Sequence, residues 1–294
     1  MRGEDRKLLK FRLVNMVRRL FTVCLVLVGL GAILFALNRF IDKSKQTSLV
    51  NLCKQRVQEF ERVAPDYPAY DFPDDLKLQG AFDPNSYFSF LEHMQLRKGK
   101  VLDYVYLNSS NIFGWPWLYT RALSDAPFLT DKELVDWEQP DLRSYTYYLD
   151  DIVVDGTSDG FLEFSLFIEL ADRFYLWNGY TGPDATPFEF SVICDYDDLA
   201  LLMDDYQEWY VDTNDLDWIE WQKEQIQRLR DEARTVDLGP EIVMNDDVVI
   251  VSISFFGQQV GLNRIIYVIS RESPHIIISE EWQLLVEYDS GAVY

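Results

Sequence analysis

A serine between two glycines is the first candidate for chemistry in this chain. Gly156, Ser158 and Gly160 match Gly-x-Ser-x-Gly, the pattern in which a serine on a sharp strand-to-helix turn acts as a nucleophile. Such chemistry needs a histidine base, and His275 follows the motif along the chain. Residues 161–170, however, alternate apolar and polar side chains and so predict a half-buried strand. We therefore interpret the motif as a turn between two strands.

Metal and cofactor chemistry has little support in the sequence. The only histidines are His93 and His275, and Glu92-His93 lacks the second histidine of a His-Glu-x-x-His zinc motif. No Cys-x-x-Cys pair, P-loop or glycine-rich dinucleotide motif occurs. The sequence therefore predicts no cofactor.

Acidic residues offer two further kinds of site. A loop starting at Asp212 fails the EF-hand pattern, because Leu216, Asp217 and Lys223 occupy positions 5, 6 and 12. A different divalent-cation site could be built from the aspartates around one predicted helix, which otherwise form its solvated face. These metal candidates are Asp195, Asp197, Asp198, Asp204 and Asp205.

A glycoside hydrolase would need two carboxylates beside an aromatic cleft. The chain has 49 Asp and Glu residues and eight tryptophans, among them Trp115, Trp117 and Trp177. Because so many pairs are available, the sequence names no catalytic pair, and the catalytic residues are unknown. Trp115-Pro116-Trp117 is more typical of structural packing.

An uncharged apolar run, Leu20–Leu37, predicts a transmembrane helix. At about 1.5 Å per residue, a helix of this length reaches roughly 27 Å, which is close to the thickness of a bilayer's hydrocarbon core. The run is longer than the apolar part of a cleaved signal peptide, so a signal-anchor is favoured. Seven cations precede it (Arg2, Arg6, Lys7, Lys10, Arg12, Arg18 and Arg19), which predicts a cytoplasmic N-terminus and an extracytoplasmic C-terminal domain.

The remainder of the chain is strongly acidic. The whole chain has a net charge of −22, although residues 1–45 contain ten Lys and Arg and only three Asp and Glu. Such a surface repels phosphate backbones, which argues against nucleic-acid binding. A content of 48% hydrophobic residues argues against disorder. The acidity is typical of a soluble surface, and it also suits a basic protein partner or a divalent cation.

The order of elements predicts an α+β fold, with one N-terminal transmembrane helix followed by a largely antiparallel sheet packed with several helices. We divide the chain into a basic cytoplasmic tail (1–19), an anchor in the lipid bilayer (20–41), a membrane-proximal helix and Pro/Asp-rich linker (42–84) and an acidic domain (85–294). Cys53 and Cys194 lie outside the anchor, and their spacing leaves their pairing open.

Periodicity predicts the main elements of the acidic part. Helices are expected over 48–63, from Asp83-Pro84 to Gly99, over 195–210, and from Asp215 or Asp217 to Gly239-Pro240. Strands are expected over 101–107, 117–121, 152–154, 161–170, 174–177 and 188–194. Three more, over 248–256, 265–270 and 276–288, are joined by short turns and predict an antiparallel meander.

Three functional hypotheses follow. The first is a non-catalytic, single-pass cell-membrane protein whose acidic extracytoplasmic domain serves binding or assembly. The second is a membrane-anchored hydrolase of the glycoside type with a carboxylate pair. The third is a sensor domain that binds a divalent cation.

Overall fold

The computed structural model describes residues 44–64, 82–110, 113–138, 147–174, 177–178, 190–209, 216–258 and 260–289. The chain divides into two units, Met1–Ser48 and Leu49–Tyr294. The second unit is an α+β fold with antiparallel sheets and several helices. Among the described residues, no helix combines the length and apolarity needed to cross a membrane. The predicted anchor, Leu20–Leu37, lies outside the described residues.

Five α-helices lie in the described part of the chain: α1 over 44–63, α2 Asp131–Glu138, α3 Ser158–Leu170, α4 Tyr196–Trp209 and α5 Leu216–Ala233. Two 3-10 helices cover Pro84–Ser89 and Tyr147–Asp151. The strands are β1 Met94–Leu96, β2 Lys100–Ser110, β3 Phe113–Ala122, β4 Ile152–Val154, β5 Trp177–Asn178, β6 Ser191–Ile193, β7 Glu241–Met244, β8 Val248–Gly257, β9 Gly261–Ser270 and β10 Ile277–Val286.

The described strands form three antiparallel sheets. A large sheet has the order β10-β9-β8-β6, and β7 also pairs with β8. A second sheet has the order β2-β3-β5, and β1 pairs with β4 alone. The predicted meander is confirmed, since β8, β9 and β10 are consecutive antiparallel neighbours. The predicted helices over 48–63 and 195–210 are confirmed as well. The helix predicted from Asp215 or Asp217 is also present, but it ends at Ala233 and not at Gly239-Pro240.

The strand predicted over 161–170 is wrong, because this segment is helix α3. Every residue from Phe161 to Phe167 is buried, including Glu163 and Ser165. A helix surrounded by protein on all sides has no solvated face, so its sequence lacks the helical period that marks a surface helix. Thr157 caps α3, and its Oγ1 accepts a hydrogen bond from the Gly160 N–H at 3.1 Å.

The helix predicted from Asp83 to Gly99 is also wrong. Asp83 does cap a helix with Pro84 in its first turn, but this helix is a 3-10 helix that ends at Ser89. The Asn85 side chain then ties it to β2, since its amide donates to the Leu102 carbonyl and accepts from the Leu102 N–H, both at 2.9 Å. Within the predicted helix, Met94–Leu96 instead forms strand β1, which pairs with β4.

Two links fasten α1 to the rest of the second unit. Cys53 of α1 forms a disulfide with Cys194, which follows β6. Arg56 of α1 pairs with Glu163 of α3, inside the protein. The apolar side of α1 packs into the main core around α3, for example through Phe60. A second core lies between α4, α5 and one end of the large sheet.

Candidate functional site: the exposed edge of the large sheet

Among the described strands, β10 forms an edge of the large sheet. It pairs with β9 along one side, and no described strand pairs with its other side. Edge strands leave backbone N–H and C=O groups open to another chain, so proteins usually keep them short or protected. Here the edge strand is ten residues long, and all residues from Ile278 to Leu284 are exposed.

Several large apolar side chains are exposed on and next to β10. Ile278 is 58% exposed, Trp282 49% and Leu284 55%, and Ile276 just before the strand is 54% exposed. With Glu280 and Glu281, these four residues define what we call the β10 surface. Clustered apolar exposure of this kind marks interaction sites more often than scattered single residues do.

The pairing register shows which face of the sheet each side chain occupies. Glu280 lies opposite Tyr267, and Trp282 lies opposite Ile265. Opposed residues of antiparallel strands project from the same face, and both β9 residues are buried in the main core. Trp282 therefore stands on the core side of the sheet, where its ring contacts Phe255 at 4.7 Å and Phe190 at 6.5 Å between centroids.

The β10 surface is acidic as well as apolar. Between Ile276 and Asp289 the chain contains four acidic residues and no lysine or arginine. The Trp282 indole N–H donates to the Glu280 carboxylate at 2.5 Å, which holds an apolar ring and a negative charge side by side.

A partly buried acidic cluster lies near Glu280, at the end of α3. The Tyr267 hydroxyl donates to Glu169, whose carboxylate also pairs with Arg173 at 3.2 Å. Burial raises the pKa of Glu169 and raises the pKa of Asp172 to about 6. The negative charge of Glu169 adds to the rise at Asp172, whereas Arg173 opposes it. Glu169 and Asp172 interact electrostatically, but this interaction does not assign either of them a catalytic role, and hydrolase activity stays a hypothesis.

The Gly-x-Ser-x-Gly segment connects strand β4 to helix α3, so its interpretation as a turn between two strands is wrong. Its predicted base is not arranged for catalysis, because both ring nitrogens of His275 bind backbone. Nε2 accepts from the Val154 N–H and Nδ1 lies 3.2 Å from the Ser270 carbonyl oxygen. Burial lowers the pKa of His275, which favours the neutral ring. The Ser158 hydroxyl donates to the Asp159 carboxylate at 3.4 Å.

The other histidine supports the turn before α3. His93 Nδ1 lies 2.7 Å from Asp155 Oδ2, and this hydrogen bond raises the pKa of His93. The other carboxylate oxygen of Asp155 accepts from the N–H and hydroxyl of Thr157, the residue that caps α3. This geometry is that of a structural turn.

The five metal candidates are not gathered around one point. Asp195 accepts from the N–H groups of Asp197 and Asp198 and so caps α4. Asp195 and Asp198 both pair with Lys54, at 2.8 and 3.1 Å. Asp204 pairs with Arg230 of α5 at 2.5 Å, while Asp197 and Asp205 are exposed. Within the described ranges, no three His, Cys, Asp or Glu side chains are grouped to hold a metal ion. Cation sensing stays a hypothesis.

Sequence reasoning predicted the last strand but not its role. The predicted meander could have indicated that β10 is an edge strand. The last strand of a meander has only one neighbour unless another strand joins the sheet. Comparison with protein-family models, with curated proteins and with solved structures finds no match, so the function has to be argued from the surface itself.

Proposed function

We propose that this chain is a single-pass membrane-anchored protein whose acidic extracytoplasmic domain binds a protein partner through the β10 surface. The observation that carries the proposal is an edge strand with Ile278, Trp282 and Leu284 between 49% and 58% exposed. A long edge strand with exposed apolar side chains carries a risk of aggregation unless a partner covers it.

Two independent features support the proposed location. Leu20–Leu37 has the length and apolarity of an anchor, and the cations before it favour a cytoplasmic N-terminus. The Cys53–Cys194 disulfide fits the same orientation, since disulfides persist in oxidising compartments outside the cytoplasm.

Topology can be tested with a reporter that is active only outside the cytoplasm. Fused after Tyr294, it should be active, whereas the same reporter fused before Met1 should be inactive. If only the N-terminal fusion were active, the orientation would be the opposite of the proposed one. The domain would then not meet an extracytoplasmic partner.

Partner binding can be tested by placing a photo-crosslinking residue at Leu284 in the full-length protein in its membrane. A matched control places the same residue at Leu201 of α4, which is 64% exposed and lies outside the β10 surface. We expect a discrete adduct from position 284 that position 201 does not give, and Trp282→Ser should reduce it. Equal adducts from both positions would contradict a binding role for β10.

A further inference from the structure

We infer that the partner presents an extended basic segment that pairs with the open edge of β10 and adds a strand to the large sheet. This inference rests on the proposed function, because it specifies what binds to the β10 surface. It concerns both the backbone of the partner, which has to be extended, and its charge, which has to be positive.

The shape of β10 favours strand addition. The pairing of β10 with β9 is regular from Ser279 to Leu284, opposite Val268 to Asn263, and is shifted on either side of this stretch. β-bulges bend a strand and end regular pairing, so they mark the limits of a usable edge. Six consecutive residues thus form a regularly paired edge, which is long enough for a short peptide strand held by main-chain hydrogen bonds.

The charge of the chain favours a basic occupant over a second copy. Of the 49 acidic residues, 46 follow residue 45, together with 17 of the 27 basic residues. Two such domains repel one another, and a β10–β10 contact would bring two acidic strands together. A segment rich in Lys or Arg is attracted to the same edge, and Glu280 and Glu281 lie within the regular stretch.

The register gives the expected order of residues in the partner. Glu280, Trp282 and Leu284 project from the core side of the sheet, while Glu281 and Gln283 project from the other side. An antiparallel partner would therefore carry an apolar residue opposite Leu284, an apolar residue opposite Trp282, and then two basic residues opposite Glu281 and Glu280. Read from its N-terminus, the pattern is apolar-x-apolar-basic-basic.

The test uses the full-length protein in phosphatidylcholine nanodiscs and a fluorescent peptide containing Val-Thr-Val-Lys-Lys. Anisotropy should report saturable binding, and the double variant Glu280→Lys, Glu281→Lys should weaken the affinity by about tenfold or more. The matched control, Glu220→Lys with Glu224→Lys, makes the same charge change on exposed positions of α5 and should leave the affinity unchanged. Equal weakening by both double variants would show non-specific attraction and overturn the inference.

Two further probes separate strand addition from other modes of binding. A peptide N-methylated at alternate residues along its pairing edge cannot donate main-chain hydrogen bonds, and it should not bind. Unchanged binding of that peptide would overturn strand addition. Dimers of the chain in the nanodiscs that are lost on Trp282→Ser would show that a second copy is the occupant and would also overturn the inference. If position 284 cross-links a partner while the basic peptide fails to bind, this inference fails and the proposed function stands.

Discussion

Arg56 and Glu163 form an ion pair inside the protein, with Arg56 Nε 2.7 Å from Glu163 Oε1 and the two side chains only 3% and 0% exposed. The carboxylate of Glu163 also accepts hydrogen bonds from the backbone N–H groups of Glu92 and His93. One buried carboxylate thus connects α1, α3 and the turn before β1.

Removing the cation of this pair should destabilise the fold strongly. Arg56→Met leaves a buried carboxylate without its counter-ion, and we expect the free energy of unfolding to fall by about 3 kcal/mol, measured by urea titration. Arg62→Met in the same helix removes a pair whose arginine is 66% exposed, and it should cost less than about 1 kcal/mol. Adding Glu163→Gln to Arg56→Met should recover part of the loss. Equal losses for Arg56 and Arg62 would contradict a special role for the buried pair.

The disulfide should contribute substantially to stability because it closes a long loop. Cys53 and Cys194 are 141 positions apart, and removing a link of this kind typically costs about 2–5 kcal/mol. We expect the double variant Cys53→Ala, Cys194→Ala to lower the free energy of unfolding by this amount and so to lower the urea midpoint. Both cysteines are replaced so that neither leaves a free thiol. Full alkylation of both cysteines in the native, unreduced protein would show that the bond is absent.

Stability should depend on pH through Asp172. Its pKa is raised by burial to about 6, so the folded chain binds this proton more tightly than the unfolded chain, where an aspartate has a pKa near about 3.9. The tighter binding of this proton contributes to the free energy of unfolding below about pH 4, and the contribution is lost as the pH rises to about 6. Asp172→Asn should be more stable than the native protein at pH 7, by up to about 2–3 kcal/mol, and this difference should vanish near pH 4. The exposed Asp205→Asn serves as the control, and thermal melts from pH 4 to 7 provide the measurement. A constant difference across that range would contradict the assignment.

Two glycines with positive φ should respond differently to alanine. Gly261 (φ +75) starts β9, and an added Cβ would lie 2.6 Å from the Val286 carbonyl oxygen. Gly99 (φ +84) has open space around the same position. Gly99→Ala should therefore cost about 1 kcal/mol from backbone strain alone. Gly261→Ala should cost clearly more, because the backbone of the neighbouring strand has to move. Similar urea midpoints for the two variants would contradict this reasoning.

The surface helices and the strands that are joined by short turns were predictable from the sequence. α5 has Trp218, Ile226 and Leu229 on one side and charged residues on the other, and β8 to β10 are separated by short turns. α3 was not predictable, because its burial on every side removed the helical period. Its polar residues are satisfied internally, since Glu163 binds Arg56 and the Ser165 hydroxyl donates to the Phe161 carbonyl.

The candidate site depended on tertiary information that local patterns do not contain. A strand over 276–288 was expected, but whether Trp282 is covered depends on how far the rest of the fold extends along the sheet. In the same way, the spacing of Cys53 and Cys194 could not decide their pairing, which depends on α1 packing beside β6.

The bond between Cys53 and Cys194 also determines how the chain would carry tension. If the two ends of the protein are pulled apart, the force passes from α1 through sulfur into the segment after β6 and bypasses everything between them. The bypassed loop has a contour length of roughly 480 Å at about 3.4 Å per residue. The loop cannot extend under force while the disulfide is intact. Reduction of the disulfide would therefore increase the length to which the chain can be stretched and lower its stiffness.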